Sequence, residues 1–175
     1  MGLNGLPGVS GPTAVLLACG NSLRQDDGVG LRIAEAAEQL FPASRLRIVA
    51  AQQFTPEMAV QLAEAKLAIF VDACLTDEPG AIRISRVAAQ QSARGSGAAE
   101  AGLEETHRLD PPALLALAKA LCGRTPAQAF AITIGVESLG YGEQMTGPLR
   151  QAVPRALRLV ESLLGCAMQR PKAHE

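Results

Sequence analysis

Apolar and polar positions repeat with two different periods along this chain, and the alternation of the two predicts its elements. Ala14-Val15-Leu16-Leu17-Ala18-Cys19 is an unbroken apolar run of strand length, giving a first strand over residues 13–19. Val29, Ile33, Ala36, Ala37 and Leu40 then fall on one helical face, so a helix runs to Phe41 and is stopped by Pro42. Residues 45–50 read as a second strand. Thr55-Pro56-Glu57 opens a helix, with Thr as cap and Pro in the first turn, running to Glu64. Residues 66–72 are a third strand, apolar almost throughout and so expected at the centre of a sheet, ending in the carboxylate of Asp72.

Beyond it, Asp77-Glu78-Pro79-Gly80 is a turn, and residues 81–87 alternate apolar with polar, as a half-exposed antiparallel edge strand does. Asp110-Pro111-Pro112 caps a helix whose buried stripe is Leu114, Leu115, Ala118 and Leu121, with Gly123 past its end. Residues 129–136 form the last strand, and 137–147 are a Gly-rich connection. A final amphipathic helix from Gly147 or Pro148 uses Leu149, Val153, Leu157, Val160 and Leu164. Strands alternating with helices predict an α/β fold with parallel pairing through right-handed crossovers.

The length of 175 residues fits one domain. It is assigned to residues 13–168, between a Gly- and Pro-rich leader at 1–12 and a loose tail at 169–175. Residues 90–105 are small and polar, as in a flexible loop. A net charge of −1, one Tyr, four Phe and no Trp provide neither the basic footprint nor the stacking platforms of a nucleic-acid binder. No apolar run approaches the roughly 20 residues needed to span a membrane. Four cysteines at 19, 74, 122 and 166 form no C-x-x-C pair. A cytoplasmic protein with reduced thiols is expected, with Cys19 and Cys122 as small core residues.

The chemistry concentrates in the loop after the first strand, Gly20-Asn21-Ser22-Leu23-Arg24-Gln25-Asp26-Asp27-Gly28-Val29-Gly30. Its glycines lack the spacing of a dinucleotide fingerprint, and two carboxylates repel phosphate. The loop reads instead as acidic, facing a metal or handling protons. Asp26 or Asp27 also suits helix capping, and the two roles can coexist, one per residue. Parallel pairing places the Asp27 loop and Asp72 on the same sheet edge, where sites in open α/β sheets are built. For Asp72 the competing role is acceptance of backbone N–H bonds in the turn that follows.

Of two histidines, His174 lies in the tail and His107 precedes a helix in a polar loop, where a surface or capping role competes with metal ligation. One imidazole with two carboxylates suits zinc, nickel or iron, with positions left for a substrate. Cys74 shares an extended-chain face with Asp72 and reads as a buried small hydrophobe before a soft ligand. Ser22 and Ser138 belong to no nucleophile–base–orienter set.

Gly20-Asn21-x-Leu23-x-x-Asp26-Asp27-Gly28-x-Gly30, then Val71-Asp72-Ala73, His107 before a Leu-rich helix, and Ile134-Gly135-Val136-Glu137 resemble the nickel–iron hydrogenase maturation endopeptidases. The resemblance implies a three-layer α/β/α sandwich around a twisted, mostly parallel five-stranded sheet. It implies removal of a C-terminal extension from the hydrogenase large-subunit precursor after nickel insertion. By position, the metal-contacting residues would be Asp27, Asp72 and His107, with Asp27 and Asp72 catalytic. The nickel comes with the precursor, no organic cofactor is implied, and the expected state is a monomer that meets its precursor transiently. A nickel-holding metallochaperone and an α/β hydrolase of small esters or amides are the competing readings.

Overall fold

The first strand, β1 (Ala14–Cys19), is buried along its whole length, so it requires cover on both faces. The computed structural model, which describes residues 14–76, 78–89, 109–137, 140–142 and 144–168, shows how that cover is built. The leader, the 90–105 loop, Asp77, both histidines, Ser138 and the tail lie outside the described residues.

A tight helical turn at Gln25–Gly28 leads into α1 (Val29–Leu40). There follow β2 (Leu46–Ala51), α2 (Met58–Glu64), β3 (Leu67–Leu75), β4 (Ile82–Arg86), α3 (Pro111–Cys122), β5 (Gln128–Val136) and α4 (Gly147–Met168). The sheet order is β2-β1-β3-β5-β4; β4 runs antiparallel to β5, and every other pair is parallel. The α/β/α expectation and the antiparallel edge are borne out.

Side-chain alternation sorts the strands into two cores. Leu16, Ile69, Val71, Ile132 and Ile134 meet Val29 and Ile33 of α1 and Leu149, Ala156 and Val160 of α4. Val15, Leu17, Ala68 and Phe70 meet Met58 and Leu62 of α2 and Leu114, Leu115 and Ala118 of α3. Phe54 packs edge-on against Phe70, with ring centroids 5.6 Å apart. In α3 the Asp110 side chain accepts from the Ala113 N–H at 2.7 Å, prolines occupy the first turn, and Gly123 closes the helix at φ 72°. Only that last position needs left-handed backbone, hence glycine.

Several expectations shift. Leu40, Leu121 and Cys122 are exposed, because each lies in the last turn of its helix; periodicity gives the face but not how far the covering layer extends. Ala34 replaces Leu40 on the buried face of α1. Thr55 does not cap α2: residues 55–57 form a separate turn, with Met58 N–H on the Thr55 carbonyl and Ala59 N–H on that of Pro56. Backbone hydrogen bonding within Glu57, and then the Thr55 hydroxyl, hold the Glu57 carboxyl below the usual glutamate range. The third strand continues past Asp72 to Leu75, because β5 pairs with it through Leu75–Val136.

Replacing Leu114 with Ala is expected to cost about 2–5 kcal/mol, as buried Leu truncations do. Leu121→Ala, 66% exposed, should stay within about 0.5 kcal/mol. Urea unfolding of the two variants checks the boundary of the α3 layer.

Candidate functional site

The candidate site is fixed by where two neighbouring strands stop sharing a path. From β1 the chain turns onto the α1/α4 face and then to β2 on one side; β3 lies on the other side of β1. The carboxyl ends of β1 and β3 therefore border the switch point of the sheet, where a crevice opens. β1 pairs with β3 only as far as Ala18–Val71, so Asp72 is the first residue of β3 beyond that pairing.

The turn carrying Asp27 is seated on this edge by close packing. A Cβ on Gly30 would collide with the Cys19 carbonyl oxygen and stand 3.3 Å from that of Val71. The first turn of α1 thus lies across the ends of both β1 and β3. A Cβ on Gly20 would collide with the Asp27 carbonyl, so the Asp27 main chain rests on Gly20. Asp27 N–H donates to the Arg24 carbonyl at 3.0 Å, and the Asp27 side chain is half-buried.

The two acids of the pair have separate fates. Asp26 is 3% exposed, and its carboxylate accepts from the Thr146 N–H at 2.8 Å and the Thr146 hydroxyl at 2.9 Å. Neither acid caps α1: Gly28 occupies that position with no side-chain bond, so the capping expectation is corrected. Asp26 is instead spent on a contact 120 residues away.

Asp72 is half-buried, and its Oδ1 accepts from the Ala73 N–H at 2.9 Å. Strand alternation puts it on the face of Phe70, and it lines a 490 Å³ cleft with Cys74, Arg86, Pro111, Pro112 and Thr133. Cys74 shares that cleft and is half-buried, so it is not the buried small hydrophobe expected. Asp27 and Asp72 approach one sheet edge from opposite layers. A larger cleft of 740 Å³ lies between α1 and α4, floored by Leu31, Met145 and Val153, and neither acid lines it. His107 lies outside the described residues; among those described, no group of three His, Cys, Asp or Glu residues is placed to hold a metal ion.

Sequence reasoning missed Thr146. Its signal was available, a Thr immediately before a helix that starts at Gly147, but its partner is too distant in sequence for any local pattern to name.

No protein-family model matches the sequence, and no curated protein matches it either. Solved structures do. The hydrogenase maturating endopeptidase HybD from E. coli aligns with a TM-score of 0.66 at 23% identity, over 87% of this chain and 91% of its own. The chain has the maturation-peptidase fold. The nickel–iron hydrogenase maturation protease HycI from Thermococcus kodakarensis KOD1 gives a TM-score of 0.66 at 20% identity, over 90% and 95% of the two chains. A hydrogenase 2 maturation peptidase from a Thaumarchaeota archaeon gives 0.62 at 22% identity, over 87% and 97%. The maturation-peptidase fold here contains no helix, among the described residues, long and apolar enough to cross a membrane.

Because backbone lies against both Gly20 and Gly30, adding a methyl group at either forces the Asp27 turn off its seat. Gly20→Ala and Gly30→Ala should each cost about 1–3 kcal/mol, the range of overpacked sites, measured by thermal unfolding.

Proposed function

We propose that this protein is an endopeptidase that removes the C-terminal extension of a nickel–iron hydrogenase large-subunit precursor once nickel has been inserted. The observation that supports this reading is the presence of Asp27 and Asp72 at one carboxyl edge, on either side of the β1/β3 divide, in a chain with the maturation-peptidase fold. The nickel is part of the substrate. Asp27, Asp72 and His107 would offer two carboxylates and an imidazole to its open positions, a donor set suited to a borderline divalent ion.

The chemistry asked of the chain is modest. Held by Asp27, Asp72 and His107, the precursor's nickel would either polarise the scissile carbonyl or serve only as a checkpoint for cleavage. Asp27 or Asp72 takes the proton of the attacking water and returns it to the departing amine. Leu23 and Tyr141, 60% and 88% exposed, stand beside this edge because Gly142 N–H donates to the Leu23 carbonyl at 3.0 Å. With the apolar floor of the larger cleft they give a folded precursor a surface to dock on. The protein would act in the cytoplasm as a monomer, without an organic cofactor, nucleic acid or membrane.

Incubation with nickel-loaded and nickel-free precursor should show cleavage of the loaded form alone; equal cleavage of both rejects the reading. Asp27→Asn should abolish cleavage with little change in melting temperature. Tight stoichiometric nickel retained by the isolated protein through dialysis would favour a metallochaperone instead.

The docking surface has its own test. Leu23→Asp combined with Tyr141→Asp should raise KM about tenfold, equivalent to about 1.4 kcal/mol, and leave kcat and melting temperature unchanged.

A further inference from the structure

We infer that Asp26 and Thr146 form a clamp that positions Asp27, so that the connection between β5 and α4 sets the reactivity of the site through a residue that need not touch the substrate. The inference rests on the role of Asp27 proposed above. Asp26 is the one charged side chain fully buried among the described residues. Burying a carboxylate is costly unless its oxygens are paired. Here one residue pairs both: the Thr146 N–H binds Oδ1 and the Thr146 hydroxyl binds Oδ2. Two bonds from one residue fix the orientation of the carboxylate as well as its position.

The clamp also uses the end of α4. The Thr146 carbonyl accepts the first helical N–H, from Arg150 at 3.0 Å, so the Asp26 carboxylate sits at the N-terminus of a 22-residue helix. The helix dipole favours negative charge there. Thr146 itself is exposed, so its substitution disturbs little besides this contact.

A second set of contacts joins the same two segments. Gln25 N–H donates to the Gly142 carbonyl at 2.7 Å, Gly142 N–H donates to the Leu23 carbonyl at 3.0 Å, and Arg24 bridges Gly142. Between them Gln25 is held at φ 44°, the one described non-glycine residue with positive φ. Such a conformation persists where the surroundings over-determine it. The strained residue lies two positions before Asp27. Without the clamp, the turn has reason to relax, and Asp27 moves with it.

The test uses the full-length protein and nickel-loaded precursor. Thr146→Val keeps the shape and the backbone donor but removes the hydroxyl; Thr146→Ser restores it. We expect Thr146→Val to lower kcat about tenfold or more, as small misplacements of reacting groups do, with KM little changed. It should weaken cadmium binding by the isolated protein in parallel, and Thr146→Ser should recover both. Wild-type kcat and cadmium affinity in Thr146→Val, alongside an inactive Asp27→Asn, overturn the clamp and leave the proposed function standing. So does a loss that follows melting temperature and is not recovered by Ser. Full activity in Asp27→Asn overturns the proposed function itself.

Discussion

The parallel pairing of β1 with β3 is the constraint from which the rest of the arrangement follows. Both strands are apolar on both faces, so polar groups are admitted only where the pairing ends. The chain leaves β1 toward one layer, while Asp72 and Cys74 of β3, just past the pairing, face the other. An edge so divided has room for a substrate and two routes by which carboxylates reach it. The acids stand there because the interior of this sheet has no other place for them.

The rigidity of the acidic turn comes from neighbours rather than from its own sequence. It holds glycines at 20, 28 and 30, a composition that suggests looseness. In the structure, backbone fills the space beside Gly20 and Gly30, and the β5–α4 connection grips the turn from the side. Those glycines permit close approach, and close approach removes freedom. The turn is therefore presented as a fixed object, which suits the role proposed for Asp27.

Much of this was legible in the chain, for identifiable reasons. Apolar runs such as Leu67–Val71 have few solutions besides a covered strand, and Asp110-Pro111-Pro112 with Gly123 marks both ends of α3. The parity of Asp72 and Cys74 follows from the pleat, which is why their common cleft could be anticipated. Where expectations failed, the deciding partner was remote. β3 outlasts Asp72 because β5, some sixty residues later, pairs with it. Leu121 is exposed because the extent of a neighbouring layer leaves no mark on a helical stripe. Thr55 gave way to a local turn and a bond to Glu57. The bond that sorts Asp26 from Asp27 spans the chain, and two adjacent identical letters carry no hint of it.

That bond has a temporal side. The acidic turn leaves the ribosome well before the residue that grips it, which is encoded 120 positions later. At ordinary translation speeds the interval is roughly 6–24 s, during which β1, β3 and their helices can collapse while the turn stays unlatched. A residue just before α4 therefore completes the turn before α1. A nascent chain that lacks Thr146 holds the acidic turn without the two bonds that fix the Asp26 carboxylate.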